Sequence, residues 1–367
     1  MKTIRRLLYS EVIAAVAFVT LGFIALFFFF DFVDDLPNVG RFGPDGYQLT
    51  HSLIYVTLLI PNHIYELLPI TVLIGTIFVM SRMAQSSEYT ILRTSGLGPW
   101  RALRTLVLLG MGFVVLTFAI GDYVSPATDR IAQLLKARYQ GKLTIGQTGA
   151  WLKERQNDKS YAANVASLQS TGDMQGVRIF EFDASNLLIS LTQAEKAHFE
   201  SRSGWLLENV TRTQFGRADT DSRVDRQKIP TLLWPTEISA EMVSTALLKP
   251  DRMRTIDLFQ YVQHLNANGQ SAQRFEIEFW RKVFYPLSCV VMVVLALPFA
   301  YLHFRSKGIA GYVFGGVMAG ISFFLLNNVF GYIGNLQSWK PWLTAASPGI
   351  IYSMISLGAF GWLVLRR

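Results

Sequence analysis

Four stretches of this chain carry no charged side chain over a length that matches the hydrocarbon core of a bilayer. The shortest has 19 residues and the longest has 27, and a helix of about 20 residues spans roughly 30 Å. Lipid offers no partners to backbone amides and carbonyls, so a chain that crosses it must pair these groups internally. We therefore predict a membrane-spanning helix in each of the ranges 12–30, 283–304, 308–334 and 341–365.

Two less regular segments complete a set of six predicted spans. Segment 52–80 contains Pro61, Glu66 and Pro69 before an apolar core, and segment 101–124 follows a basic loop. The first apolar run is longer than the core of a signal peptide, about 7–15 residues, so we expect it to be retained. The six predicted spans are about 10–33, 52–80, 101–124, 276–304, 308–334 and 341–365.

Lysine and arginine residues concentrate in alternate loops of this six-span arrangement. The N-terminal tail, the loops after spans two and four and the C-terminus are basic, whereas residues 31–51 contain one arginine and four aspartates. Cytoplasmic loops of membrane proteins carry the excess of basic residues, so both termini are predicted to be cytoplasmic. The net charge of +8 is explained by these loops and gives no reason to expect a nucleic-acid partner.

Residues 125–275 are too polar to cross a membrane and are predicted to lie on its outer side. Segments 176–182, 186–200 and 203–217 alternate apolar and polar residues and are separated by turn-forming sequences, which is typical of β-strands. We predict an all-β domain of about eight strands, a sandwich or jelly roll, that ends in an amphipathic helix at 251–267. The predicted fold is an α-helical membrane protein with a jelly-roll-like domain between helices three and four. The predicted divisions are 1–124, 125–275 and 276–367.

The sequence contains no motif for chemistry of its own. A Gly-x-x-x-x-Gly-Lys-Ser/Thr phosphate-binding loop and a Gly-x-Ser-x-Gly motif are both missing, and the five histidines lack metal-ligand spacing. One cysteine, Cys289, excludes a disulfide framework. We expect no catalytic residue, no metal and no cofactor on this chain.

Three polar residues within the predicted spans have two interpretations each. Glu66 is either an acid at the membrane interface or a functional group, because an intramembrane carboxylate is costly. Asn327 and Asn328 either hydrogen-bond a neighbouring helix or line a passage.

The basic loop after span two is predicted to contain a short helix at about 84–95. Ser86 or Ser87 is the expected N-cap, Glu88 lies near the positive end of the helix, and Ser95-Gly96 is a good stop. Such a helix either lies on the lipid surface or docks in the groove of a soluble partner, and composition does not distinguish the two.

Six segments in the same order give the chain a resemblance to a known family. They are FVDDL, YELLPITVLIGTIFVMSRMA, MAQSSEYTILRTSG, AIGDYVSPATDRIAQ, FWRKVFYPLSCVVMVVLALPFAY and GISFFLLNNVFG. Together they resemble the LptF/LptG permeases of the lipopolysaccharide transporter, and the first and last are more similar to LptG than to LptF.

The resemblance implies a role for the whole chain in the inner membrane of a Gram-negative bacterium. An LptF-like permease would pair with it, and an LptB-like ATPase dimer, which holds the ATP and magnesium, would bind the loop helix. Lipopolysaccharide would move from the membrane through periplasmic jelly rolls to an LptC-like protein and the periplasmic bridge. The residues implied in contact with the ATPase are Glu88, Tyr89, Leu92 and Arg93.

The resemblance also implies residues that contact the substrate. Spans one and five would form its cavity and gate through Phe27, Phe30, Asp31, Phe323, Phe324, Asn327 and Phe330, although the same phenylalanines suit lipid contact or helix packing. The cations implied for its phosphates, which are otherwise solvated charges, are Arg41, Arg130, Lys136 and Arg138. The chain departs from the family at Asp31, Pro37 and Asn38, where lysines would be expected.

Two other functions remain open on the sequence. A membrane scaffold or receptor could bind a periplasmic protein through its β-domain without transport, but such a protein has no need of a helix that docks an ATPase. Export of another lipid or of a lipoprotein is the third, and the six predicted spans argue against it because those permeases usually have four.

Overall fold

A computed structural model of the chain describes residues 2–40, 46–96, 98–140, 150–156, 159–168, 172–200, 204–216, 224–239, 242–243, 250–301 and 309–362. It contains two compact units. The helical unit comprises Met1–Pro37, Val56–Asp129 and Glu276–Arg367, and the β unit comprises Asn38–Tyr55 and Arg130–Phe275. Residues 38–55, which follow the first span, therefore belong to the β unit. The predicted division into the consecutive segments 1–124, 125–275 and 276–367 groups them with the first three spans instead.

In the described part of the chain, five helices are long and apolar enough to cross a membrane, and a bent pair of helices makes six if the pair forms one crossing. The predicted α-helical membrane class is confirmed, and the six predicted spans agree with this count of five to six. The helices are α1 (Lys2–Asp35), α2 (Leu49–Gln85), α3 (Glu88–Thr94), α4 (Pro99–Ala119), α5 (Ser125–Gln140), α6 (Thr255–Ala267), α7 (Gln273–Phe284), α8 (Ser288–Ala296), α9 (Ile309–Leu336) and α10 (Pro341–Phe360).

The fourth crossing is not the continuous helix predicted over 276–304. Helices α7 and α8 meet at an angle of 47° across a break of three residues that includes Pro286. Proline has no amide hydrogen and its ring clashes with the preceding turn, which breaks a helix. After α8, residues Leu297–Tyr301 form a 3₁₀ turn that contains a second proline, Pro298.

The third crossing extends beyond its predicted end at residue 124. A π-helical turn, Ile120–Val124, joins α4 directly to α5. The amide of Ser125 bonds the carbonyl of Ile120, five residues back, and the next amide in that pattern would belong to a proline, Pro126. The buried Lys282 ammonium instead donates to the Gly121 carbonyl at 3.1 Å, which satisfies the group that Pro126 cannot serve.

Helix α2 is the buried axis of the helical unit. Of its most apolar stretch 78% is buried, against 11% for α1 and 17% for α9. Glycines allow both neighbours to approach it closely: a Cβ on Gly75 would lie 2.8 Å from Val16 of α1, and a Cβ on Gly320 of α9 would lie 2.6 Å from Ile70. The remaining surface of α1 and α9 is mostly apolar and exposed.

The β unit contains a six-stranded antiparallel sheet whose strands pair in chain order. The all-β prediction is confirmed, but the described residues form a simple meander of six strands, fewer than the eight expected and without the crossovers of a jelly roll. The strands are β1 (Ala150–Gln156), β2 (Lys159–Leu168), β3 (Met174–Phe182), β4 (Leu188–Glu200), β5 (Gly204–Phe215) and β6 (Val224–Trp234).

One face of the sheet carries the core of this unit. Ala163, Ile179 and Thr192 lie opposite one another on neighbouring strands and are all buried, as expected when alternate residues share a face. Trp205 is fully buried beside Phe199, with 5.0 Å between ring centroids, and its indole nitrogen donates to the Ile238 carbonyl at 2.8 Å.

Helix α6 and the start of α2 also belong to the β unit. The amphipathic helix predicted at 251–267 begins later, at Thr255, because Pro250–Arg252 form a separate 3₁₀ turn. At the start of α2, the His51 ring lies 4.4 Å from that of Tyr139 on α5, whose hydroxyl is 2.8 Å from His51 Nε2. This contact explains why residues 38–55 group with α5.

Candidate functional site

The short helix α3 lies between α2 and α4, where the loop sequence predicts it, but it begins later and is capped differently. Ser87 occupies the N-cap position in the left-handed conformation, with φ of 61°, and its side chain makes no capping hydrogen bond. The Ser86 hydroxyl donates to the Arg82 carbonyl at 3.1 Å. Of the two predicted serines, Ser87 is thus at the N-cap position but its side chain does not cap the helix, and Ser86 bonds the end of α2 and not the start of α3.

One side of α3 is anchored in the helical unit. The Tyr89 side chain is buried, its hydroxyl donates to that of Tyr301 at 3.1 Å, and the two rings meet edge to face at 5.2 Å. Leu92 packs against the same core, and the Arg93 guanidinium lies 5.6 Å above the Tyr301 ring. Tyr89 thus faces the helical unit and is not on the outer side of α3, where the resemblance implies contact with the ATPase.

The outer side of α3 presents a small mixed surface. Glu88 is exposed, and Ile91, which the sequence analysis does not single out, is 62% exposed about one turn later. Arg93 is also exposed but lies on the side nearer Tyr89. An exposed isoleucine beside an acid can dock into an apolar groove with a charged edge, which is how a helix commonly binds a partner.

At the far end of α1, Asp31 pairs with a histidine. His63 Nε2 of α2 lies 2.6 Å from Asp31 Oδ2, and the Phe27 ring lies 4.9 Å from the His63 ring. Asp31 is thus held against α2 and is not a free carboxylate facing a substrate. Phe29 and Phe30, which directly precede Asp31, are exposed and point away from the helical unit.

The predicted cavity residues of α9 divide into two groups. Phe323 is buried between Tyr285 and Tyr352, with ring centroids at 6.3 and 5.1 Å, so it is a packing residue of the helical unit. Phe324 is exposed, and Phe330 is half-buried beside Trp339.

The side chain of Asn327 bonds its own helix. Its amide donates to the Phe323 carbonyl of α9 at 3.0 Å, whereas its backbone carbonyl accepts a hydrogen bond from Arg281 of α7 at 2.6 Å. The contact between helices is therefore made by the Asn327 backbone and not by the side-chain amide that was predicted to make it. Glu66 is likewise paired, since the amide of Asn62 donates to it at 2.9 Å.

Of the four cations expected to bind phosphate, the structure describes the side chains of two, and both lie on α5. Lys136 Nζ lies 4.3 Å above the Tyr55 ring, and Arg130 is exposed on the same helix, α5. Six residues separate these two cations, which places them about 120° apart around the helix. Arg41 and the side chain of Arg138 lie outside the described residues.

Several residues at these sites were missed by the sequence analysis. His63, Tyr301, Arg281 and Lys282 all contact a residue or carbonyl of another helix. The adjacent charges of Arg281 and Lys282, placed directly before an uncharged run, are a signal that could have drawn attention to them.

Replacing Asp31 with asparagine is expected to loosen the end of α1, because a hydrogen bond to a charged group contributes about 1.5–3 kcal/mol and this one is only partly exposed. We expect the full chain to unfold at a lower temperature than the wild type. The matched control is Asp34→Asn, since Asp34 is exposed one turn away and should change stability by less than about 0.5 kcal/mol. Equal effects of the two substitutions would contradict the assignment of the Asp31–His63 pair.

The spans and the inserted sheet define a class of protein, a polytopic membrane protein with a folded domain between its third and fourth crossings. Residues 6–366 match the family described as "Lipopolysaccharide export system permease LptF/LptG". The chain belongs to this family, and its apolar helices and family together indicate an inner-membrane protein.

The relatives it matches are named "Lipopolysaccharide export system permease protein LptG". The chain is 26% identical to that of Escherichia coli strain K12 over 339 residues, which cover 92% of this chain and 90% of the relative. It is 24% identical to that of Haemophilus influenzae over 368 residues, which cover 100% of this chain and 99% of the relative. Similarity therefore runs through the helical unit and the β unit alike.

Proposed function

We propose that this chain is a transmembrane subunit of an ABC transporter that extracts lipopolysaccharide from the inner membrane. In this proposal it passes the lipid to a periplasmic bridge for assembly in the outer membrane. The observation that carries the proposal is the family match over residues 6–366. Both termini would be cytoplasmic and the β unit periplasmic, in agreement with the distribution of basic residues in the loops.

The proposal divides the chemistry between chains. This sequence has no phosphate-binding loop, so ATP and magnesium would be held by an LptB-like ATPase dimer. Helix α3 would couple that ATPase to the spans: Glu88 and Ile91 are available on its outer side, Arg93 is exposed beside Tyr301, and Tyr89 links the helix to the helical unit. A movement forced on α3 would thereby reach Tyr301 at the end of the bent fourth crossing.

The substrate would pass along the exposed apolar faces of α1 and α9. Phe30 and Phe324 offer surface for acyl chains, and an LptF-like permease would close the cavity opposite them. Arg130 and Lys136 are the described cations proposed for its phosphates. An LptC-like protein and the periplasmic bridge would receive the lipid after the β unit.

Glu88→Lys tests the proposal. The reversed charge should weaken binding of the ATPase about tenfold, or about 1.4 kcal/mol, while the spans remain folded because Glu88 is exposed. The measurement is titration of the ATPase onto the purified permease complex in lipid nanodiscs, together with lipopolysaccharide release from membrane vesicles.

Glu88→Gln, which removes the charge without reversing it, should have a smaller effect than Glu88→Lys, and Thr90→Lys controls for an added cation elsewhere on α3. Unchanged ATPase binding and intact transport in Glu88→Lys would refute the docking role. If the wild-type complex bound a periplasmic protein but neither an ATPase nor lipopolysaccharide, the chain would be a scaffold.

A further inference from the structure

An arginine in the last turn of α7 reaches across to the backbone of α9. Arg281 Nη2 donates to the carbonyl of Asn327 at 2.6 Å and lies 3.4 Å from Asn328 Oδ1. Its other terminal nitrogen, Nη1, donates to Glu278 at 3.0 Å, one turn earlier on α7. The side chains of Arg281 and Glu278 are 23% and 17% exposed, so this charged group is largely enclosed.

A glycine on α9 makes room for this contact. A Cβ on Gly331 would lie 3.3 Å from Arg281 Nη2, which is closer than most carbon contacts to nitrogen. In an α-helix the amide of Gly331 bonds the carbonyl of Asn327, four residues earlier. A carbonyl oxygen has two lone pairs, so it can accept the guanidinium in addition. Because Gly331 has no side chain, the guanidinium of Arg281 can approach the backbone of α9 at this point.

The contact lies in the second half of α9. Gly316 and Gly320, near the start of α9, approach Ile77 and Ile70 of α2. Farther along, a Cβ on Gly334 would lie 2.3 Å from Thr344 of α10, and Arg281 meets the helix one turn before that. On the other side of this half of α9, Phe324 and Val329 are exposed.

We propose that Arg281 is a positioning residue that fixes the second half of α9 against α7, with Glu278 orienting its guanidinium. A charged donor aimed at a backbone carbonyl in weakly polar surroundings gives a strong and directional bond. The exposed face of α9 that carries Phe324 is thereby held in one place. The consequence for transport rests on the proposed function, whereas the positioning itself does not.

The test compares distances within the transporter complex in nanodiscs by electron spin resonance. One spin label replaces Val115 on α4, and the second replaces either Tyr332 in the second half of α9 or Phe314 in its first half; all three side chains are largely exposed. Cys289 is buried and stays in place. Arg281→Ala should broaden and shift the Val115–Tyr332 distance distribution and leave the Val115–Phe314 distribution unchanged.

A double-substitution cycle isolates the contact. Gly331→Ala should broaden the same distribution when Arg281 is present and add nothing in Arg281→Ala, because there is then no guanidinium to displace. Arg281→Lys, which keeps the charge but loses the forked geometry, should give an intermediate result. Lipopolysaccharide release should fall about tenfold in Arg281→Ala.

Two outcomes would overturn the assignment. One is an unchanged Val115–Tyr332 distribution in Arg281→Ala, or in Arg281→Lys if the alanine variant does not accumulate in the membrane. The other is a Gly331→Ala effect that persists in full without Arg281. If Glu88→Lys leaves ATPase binding and transport intact while the distance changes appear as expected, the proposed function fails and the positioning role stands.

Discussion

Replacing Tyr89 with alanine is expected to release α3 from the helical unit and to abolish the coupling that we propose between this helix and an ATPase. Tyr89 is buried, and truncation of a large buried aromatic side chain costs about 3–5 kcal/mol. Helix α3 has only seven residues, too few to be stable without its tertiary contacts. Loss of the anchor should therefore disorder α3 and reduce ATPase binding by more than about a hundredfold.

The matched variant is Tyr89→Phe. It keeps the ring packed against Tyr301 and removes only the hydrogen bond between the two hydroxyls, which contributes about 0.5–1.5 kcal/mol. Titration of the ATPase onto nanodisc-embedded complexes measures both variants, and hydrogen exchange of residues 88–94 reports whether α3 remains folded. Full ATPase binding by Tyr89→Ala would show that the anchor is not needed for coupling.

Trp205→Ala should unfold much of the β unit while the helical unit remains folded. The side chain is fully buried, so its removal costs about 3–5 kcal/mol. The Ile238 carbonyl that accepts its hydrogen bond would also lose a partner, at about 1–3 kcal/mol. Their sum approaches the total stability of a typical domain, about 5–15 kcal/mol.

Limited proteolysis of the full chain in nanodiscs measures this effect, with rapid cleavage between β4 and β6 expected in Trp205→Ala. Trp151→Ala is the control, because Trp151 stacks on Phe180 but is 52% exposed. It should reduce stability by only about 1 kcal/mol. Equal protease resistance of Trp205→Ala and the wild type would contradict the role of Trp205 in this core.

The elements that could be predicted from the sequence are those with a local signal. Uncharged runs identified the crossings, and alternation within 176–182 and 186–200 identified β3 and β4. Strand number was harder, because a strand such as β6 is exposed along almost its whole length and so has no alternation of buried and exposed residues that a sequence pattern could show.

Contacts between distant parts of the chain could not be predicted. Asp31 and His63 are 32 residues apart, and Tyr89 and Tyr301 are 212 apart, so no periodicity connects them. The composition of α3 showed that it has an apolar side but could not show that this side faces the protein's own helices. Pro286 was visible within an apolar run, but the direction and size of the bend depend on packing.

The buried position of α2 also limits which residues can be substituted in members of this family. A single methyl group added at Gly75 would displace α1, because the backbone of Val16 lies within 3 Å of the new carbon, and one added at Gly316 or Gly320 would force an isoleucine side chain of α2 to move. On the outer face of α1, by contrast, exchanges among phenylalanine, leucine and isoleucine keep the surface apolar and disturb no close packing within this chain. Evolutionary drift between relatives that share 24–26% of their residues should therefore accumulate on the outer helices and spare the axis.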